Sequence, residues 1–240
     1  MPRANLTSIV VILDKSTSMS IVQRETIEGF NSFLDAQKKE PGDARLTMIQ
    51  FNTRYDIKYV EVPVRDVQPL NTHTYNPSGM TALFDAVGRG IDELGQKLSN
   101  TPEHDRPEKV IFVIITDGEE NSSIEYVKVP GKVASMIKHQ EDVYKWKFIY
   151  LGAGPNALTQ AVQLGVNMDM AAAYKVSNQT QLYSVLSASV TRGRSGQNMN
   201  YTKGERHSLM ADDPADNSFG NSSNSFGNSS VSLVDQTSKG

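Results

Sequence analysis

Val110-Ile111-Phe112-Val113-Ile114-Ile115 restricts the fold more than any other stretch of this chain. A strand with one wet face alternates apolar and polar residues, whereas a continuous apolar run has to be covered on both faces. Ser8-Ile9-Val10-Val11-Ile12-Leu13 has the same character. Two such runs predict central strands of a sheet that carries a layer above and a layer below.

The segments between them supply those layers. Ile27, Phe30 and Leu34 recur at helical spacing and predict a helix over about 20–39, ended by the turn residues Pro41-Gly42-Asp43. Phe84, Val87, Ile91, Leu94 and Leu98 form one apolar stripe, which predicts a helix over 82–99. Further helices are expected near 132–143, 156–164 and 179–192, and strands at 46–51, 57–64, 146–151 and 170–176. The strand at 57–64 follows 46–51 closely enough to pair with it as an antiparallel hairpin. The expected fold class is α/β: a three-layer sandwich whose mainly parallel, Rossmann-like sheet has one antiparallel edge strand and helices on both faces.

This folded part is expected to span residues 5–192. From Arg192-Gly193-Arg194 onward Ser, Asn and Gly dominate, and Asn217-Ser218-Phe219-Gly220-Asn221-Ser222-Ser223 is repeated unchanged as residues 224–230. A segment of that composition buries too little apolar surface to offset its ordering entropy, so residues 193–240 are expected to be a disordered tail.

Composition narrows the function classes. A formal net charge of −3 without a basic stripe argues against nucleic acid as a partner. The chain has no cysteine, which excludes disulfides, thiolate metal sites and thiol catalysis and fits a reducing compartment. No signal-like leader and no apolar stretch near the ~20 residues of a membrane span stand in it, so no membrane association and a cytoplasmic location are expected.

The chemistry concentrates where the apolar strands end. Asp14-Lys15-Ser16-Thr17-Ser18 follows the first, and Thr116-Asp117-Gly118 follows the strongest. Ligands in open α/β sheets bind at the carboxyl ends of strands beside a topological switch point. If the two strands are neighbours, Asp14 and Asp117 face one crevice, where two charges about 4 Å apart repel by about 4 kcal/mol at an effective dielectric of 20. A divalent cation relieves that repulsion, and hydroxyls at Ser16 and Ser18 add hard oxygen ligands of the kind that suits Mg²⁺. Read singly, Asp14 is equally a helix N-cap and Asp117 a turn residue. Asn76-Pro77-Ser78-Gly79-Met80-Thr81 brings Thr81 in from a third loop, where alone it reads as the N-cap of the striped helix.

Together, Asp14, Ser16, Ser18, Thr81 and Asp117 resemble the metal-ion-dependent adhesion site of the von Willebrand factor A (vWA) domain. The order, spacing and strand context of all five agree with that family, over about residues 5–192. A narrower resemblance, to bacterial and phage vWA proteins, runs through Gly29-Phe30-Asn31-Ser32-Phe33-Leu34, Thr116-Asp117-Gly118-Glu119-Glu120-Asn121-Ser122-Ser123 and Tyr150-Leu151-Gly152-Ala153. The resemblance implies that Ser16 and Ser18 ligate Mg²⁺ (with Mn²⁺ or Ca²⁺ as alternatives), that Thr81 ligates directly or through water, and that Asp14 and Asp117 supply charge, one or both of them through bridging waters. It also implies a vacant coordination position filled by the carboxylate of a partner protein with an exposed Asp or Glu.

Other motifs carry less. Gly152-Ala153-Gly154-Pro155 lacks the third glycine of a dinucleotide fingerprint, no P-loop exists, and His73, His104, His139 and His207 have no ligand spacing. Lys15, Glu119 and Glu120 read as solvated loop charges, with the two glutamates placed to repel competing acidic proteins. The expected function is therefore a non-catalytic, metal-dependent protein-binding module. The alternatives are an assembly component self-associating through its tail, and a phosphoester-directed hydrolase or regulator.

Overall fold

A computed structural model describes residues 1–211 of the chain. Its elements in chain order are β1 (Arg3–Asp14), α1 (Gln23–Lys39), β2 (Asp43–Phe51), β3 (Tyr55–Pro63), α2 (Leu83–Ser99), β4 (Pro107–Thr116), α3 (Lys132–Tyr144), β5 (Lys147–Ala153), α4 (Ala157–Leu164), β6 (Ala171–Tyr174), α5 (Gln179–Arg194) and α6 (Lys203–Met210). A short 3-10 helix, Thr17–Val22, leads into α1. The strands form one six-stranded sheet in the order β3-β2-β1-β4-β5-β6. All neighbours run parallel except β3, which pairs antiparallel with β2 at the edge.

The two apolar runs lie side by side at the centre, with Val10 opposite Phe112 and Leu13 opposite Ile115. Side chains alternate across a strand, so each run feeds two cores. Ile9, Val11, Leu13, Ile111, Val113 and Ile115 face the layer that holds α1 and α5, where Phe30, Phe33, Leu182 and Leu186 are buried. Val10, Ile12, Phe112 and Ile114 face the other layer, with Val87, Ile91 and Leu94 of α2, Ile137 of α3 and Ala161 of α4. That double coverage is what the continuous apolar composition requires, and it produces the expected three-layer sandwich.

The contact between α1 and α5 depends on a missing side chain. A Cβ on Gly29 of α1 would stand 2.1 Å from Cδ2 of Tyr183, a buried residue of α5. Only glycine lets the helix backbone come that close to the ring.

The folded unit extends past the composition change at Arg192. α5 continues to Arg194, and Met199, Tyr201 and Leu209 are all buried against the α1/α5 layer. Arg194 donates to the carbonyls of Gln37, Glu40, Pro41 and Gly42, which satisfies acceptors left open where α1 ends. α6 starts in a capping box, in which Thr202 accepts from the amide of Glu205 and Glu205 accepts from that of Thr202. Residues 193–211 are thus ordered, contrary to expectation, because a few anchors suffice where caps and one buried cation complete the backbone bonding. The remainder of the expected tail, residues 212–240 with both seven-residue repeats, lies outside the described residues.

Candidate metal centre

The fold brings the sequence-predicted residues to one place. β1 continues to β2 on one side of the sheet, while β4 adds on its other side, so the topological switch lies between β1 and β4. Their parallel pairing delivers Asp14 and Asp117 to the same carboxyl-end crevice.

Asp14 is fully buried. Its Oδ1 accepts from the Ser16 amide at 2.6 Å and its Oδ2 from the Thr116 hydroxyl at 2.6 Å. Oγ of Ser16 and Oγ of Ser18 are 3.0 Å apart, and Ser18 in turn donates to Oδ1 of Asp117 at 2.7 Å. Asp14 is therefore not a helix cap but the buried base of a hydroxyl and carboxylate chain that crosses from β1 to β4.

Thr81 completes the ring from the third loop and is buried. Nor does it cap α2, because other side chains do so: the Phe84 amide donates to Glu120 and the Asp85 amide to Ser123. Among the described residues no hydrogen bond engages the Thr81 hydroxyl, which leaves its oxygen free to ligate. A Cβ built on Gly118 would come 2.8 Å from Oγ1 of Thr81 and 3.6 Å from both Oδ2 of Asp14 and Oγ of Ser16. Three oxygens thus converge on a space that the missing side chain keeps open.

Burial dominates the electrostatics. It pushes the Asp14 carboxyl up to about 6, against the hydrogen bonds from Thr116 and Ser16; the charge of Asp117 adds the smallest upward contribution. Burial also raises Asp117, against the hydrogen bond from Ser18. Loss of hydration, more than the mutual repulsion expected from the sequence, is what a cation would relieve. Neither carboxylate forms an ion pair among the described residues, and Lys15 is turned away to Asp56 at 2.8 Å. The donor set is hard oxygen throughout, with two carboxylates and three hydroxyls, and no group of three His, Cys, Asp or Glu side chains gathers among the described residues. This set fits a hard divalent cation and lacks the nitrogen and sulfur ligands that favour zinc.

Residues that sequence reasoning did not assign hold the loops in place. Asp85 of α2 accepts from the amides of Ile124, Glu125 and Tyr126. Asn121 accepts from the Thr81 amide at 2.8 Å, while the Thr81 carbonyl accepts from Asn121 and Ser122. Glu120 is not a solvated charge placed to repel acidic proteins. It turns inward and accepts from the amides of Phe84, Ser122 and Ser123 and from the Ser123 hydroxyl, because those donors stand unpaired at the start of α2 and in the loop beside it. Glu119 remains exposed and accepts from Asn156. The four histidines are all exposed.

Beneath the crevice lie three buried tyrosines. Tyr75 donates to the Asp14 carbonyl at 2.7 Å, Tyr174 to the Thr116 carbonyl at 3.3 Å, and Tyr150 accepts from Gln160 at 2.9 Å. Tyr75 and Tyr174 thus hold the backbone at Asp14 and just before Asp117.

Gly118→Ala is expected to fill the space between the ligands. Divalent-metal affinity, read by calorimetric titration, should fall at least about tenfold, or about 1.4 kcal/mol. The melting temperature in EDTA should move by no more than about 4 °C, since Gly118 has no positive φ and only the Thr81 hydroxyl has to shift. Undiminished affinity would show that the metal does not occupy this space.

Comparison with known proteins agrees with the architecture. Proximal thread matrix protein 1 from the mussel byssus is similar at a TM-score of 0.52 and 14% identity, over 75% of this chain and 47% of that one. A further structure of it, described as having a zinc-occupied MIDAS (metal-ion-dependent adhesion site) motif, gives a TM-score of 0.53 at 14% identity with the same coverage. The chain spans about half the length of these structures, and at such identity the likeness is one of fold. No curated protein matches the chain by sequence. The model of the von Willebrand factor type A domain matches residues 8–188, the whole span from the first apolar strand to α5. With that match covering most of its length, this chain belongs to the von Willebrand factor type A domain family.

Proposed function

We propose that this protein is a non-catalytic, metal-dependent protein-binding module, with Asp14, Ser16, Ser18, Thr81 and Asp117 holding Mg²⁺ or a similar hard cation. The observation that carries the reading is the convergence of oxygens of Asp14, Ser16 and Thr81 on the space beside Gly118, with Ser18 and Asp117 joined to Ser16 by hydrogen bonds, around carboxylates that form no ion pair among the described residues. A bound cation would supply positive charge and an open coordination position for a carboxylate of the binding partner. Ser16, Ser18 and Thr81 would ligate it through neutral hydroxyls, and Asp14 would hold Ser16 in place through the Ser16 amide. Neutral ligands leave the ion's charge incompletely neutralised, which favours an acidic partner.

The non-catalytic reading is supported by the surroundings. Lys15 is engaged by Asp56, and the histidines are exposed and far apart in the sequence, so neither offers a general base at the crevice.

The test is affinity purification from the native source with the full chain as bait, in Mg²⁺ and in EDTA, followed by mass spectrometry. Partners should be retained only in Mg²⁺ and be lost by Ser16→Ala. Partners held equally well in EDTA and by Ser16→Ala would overturn the metal-bridged mechanism.

A further inference from the structure

The amino end of the sheet carries charge opposite in sign to that of the chain. There β1, β2, the end of β3 and the last turn of α1 surround a cavity of about 450 Å³. Its walls hold five cations, Arg3, Lys38, Arg45, Arg65 and Arg194, and two carboxylates, Glu40 and Asp43. This local excess of positive charge stands in a chain whose formal net charge is −3. Strand register places it: Leu6 pairs with Asp43, and Arg45 lies opposite Pro63, two residues before Arg65. The metal centre is at the other end of β1, since Asp14 stands eight residue steps beyond Leu6, or about 26 Å away.

Most of the positive charge has no carboxylate to answer it. Asp43 is taken by Arg3. Arg194 is buried and donates to the Gln37 side chain and to the carbonyls that close α1, which offsets the negative end of that helix but brings no full countercharge. Lys38 donates to the Val67 carbonyl at 2.9 Å. Arg65 reaches only its sequence neighbour Asp66, at 3.9 Å in solvent, where an ion pair contributes little. Arg45 is partly buried, and among the described residues its guanidinium has neither a hydrogen bond nor an ion pair. Glu40 alone is left to balance Lys38, Arg45, Arg65 and Arg194.

A recess lined by one sign of charge concentrates ions of the other, and free guanidinium forks match the oxygens of phosphate. One phosphate group carries about −1.5 to −2 charges, so this excess calls for more than one. The volume lies within the usual range for small-molecule sites, and the buried Leu6 and Val64 also line the walls. Cations gathered in a recess suit a small anion, whereas a nucleic acid strand is followed by a stripe.

We propose that this cavity binds a small molecule bearing a diphosphate group. Arg45 and Arg65 hold the phosphate oxygens through their free N–H groups, and Lys38 and Arg194 supply charge from the side of α1. A bound diphosphate ties the end of β3 to that helix. The inference is independent of the metal reading.

The experiment is calorimetric titration of the full chain with inorganic pyrophosphate, in EDTA so that the carboxyl-end crevice holds no metal. One equivalent should bind, and Arg45→Gln should raise the dissociation constant at least about tenfold. Arg65→Gln, at a side chain too exposed to disturb folding, should raise it as well. Arg54→Gln removes the same charge from an exposed position at the opposite end of β2 and should leave it unchanged within about twofold. In ¹⁵N spectra the amides of Gly42, Ala44 and Val64 should shift while that of Gly118 stays in place. No binding would overturn the proposal, as would an equal loss in Arg54→Gln and Arg45→Gln, or sulfate binding as tightly at equal ionic strength. Binding of single-stranded DNA or of anionic lipid vesicles that depends on Arg45, without uptake of pyrophosphate, would reassign the cluster to a macromolecular polyanion and overturn the small-molecule class.

Discussion

Asp14→Asn is expected to abolish divalent-metal binding and, in EDTA at pH 7, to make the protein more stable than the wild type. Asp14 is fully buried, and its carboxyl is pushed up from an ordinary 3.8 to about 6, chiefly by burial. A folded-state value above the unfolded one means that the folded protein binds the proton more tightly, so keeping the group charged at neutral pH costs about 3 kcal/mol. Asparagine removes that cost while retaining the size of the side chain and an acceptor for the Ser16 amide. For a domain of this length the gain corresponds to about 6–12 °C in melting temperature. The sign of the pH dependence follows. The wild-type penalty is fully present above about pH 6 and disappears as the group protonates, so the two proteins should converge near pH 4. Scanning calorimetry of both in EDTA at neutral and acidic pH reads the gap and its closure. A wild type more stable than Asp14→Asn in EDTA at neutral pH would show that local hydrogen bonds already compensate the buried charge, and would remove the electrostatic reason for a cation.

The second large effect is a contrast between two chemically identical substitutions. Gly29→Ala should destabilise the protein by about 3 kcal/mol, the upper end for overpacking, because the new methyl would fall 2.1–2.9 Å from three ring atoms of the buried Tyr183. The helices α1 and α5 would have to separate, or the ring would have to leave its rotamer. Gly95→Ala in α2 should instead stabilise by about 1 kcal/mol, since nothing lies within 4 Å of the added methyl and alanine is the better helix former. Urea denaturation of the two variants should give midpoints on opposite sides of the wild type. A neutral Gly29→Ala would mean that α1 and α5 do not meet as tightly as described.

How much of this was legible depended on the range of the interaction involved. Val110–Ile115 and Ser8–Leu13 announced buried central strands because continuous apolarity has one structural solution, and the stripe Phe84 to Leu98 announced α2 for the same reason. The five site residues were readable because each adjoins an element that could itself be read: Asp14, Ser16, Ser18 and Asp117 follow apolar strands, and Thr81 precedes the striped helix. α6 has no apolar stripe to mark it, because Leu209 is its one buried residue, although Thr202-Lys203-Gly204-Glu205 carries a capping-box signature at its start. The inward turn of Glu120 and the loop-binding role of Asp85 left no local trace. Both look like surface charges until the fold brings unpaired amides to them. The balance between hydration loss and repulsion at Asp14 likewise required the depth of the site, which spacing alone does not encode.

The tyrosines beneath the crevice have an optical consequence. Tyr75 and Tyr174 hydrogen-bond to the backbone carbonyls of Asp14 and Thr116, whereas the chain's single tryptophan, Trp146, precedes β5 at the opposite edge of the sheet, about 20 Å away along that seven-residue strand. Loading of the crevice should therefore register in the near-ultraviolet circular dichroism of tyrosine and leave tryptophan emission unchanged. Unfolding exposes the buried indole and changes both. Two unlabelled signals from one sample thus separate occupancy from loss of structure.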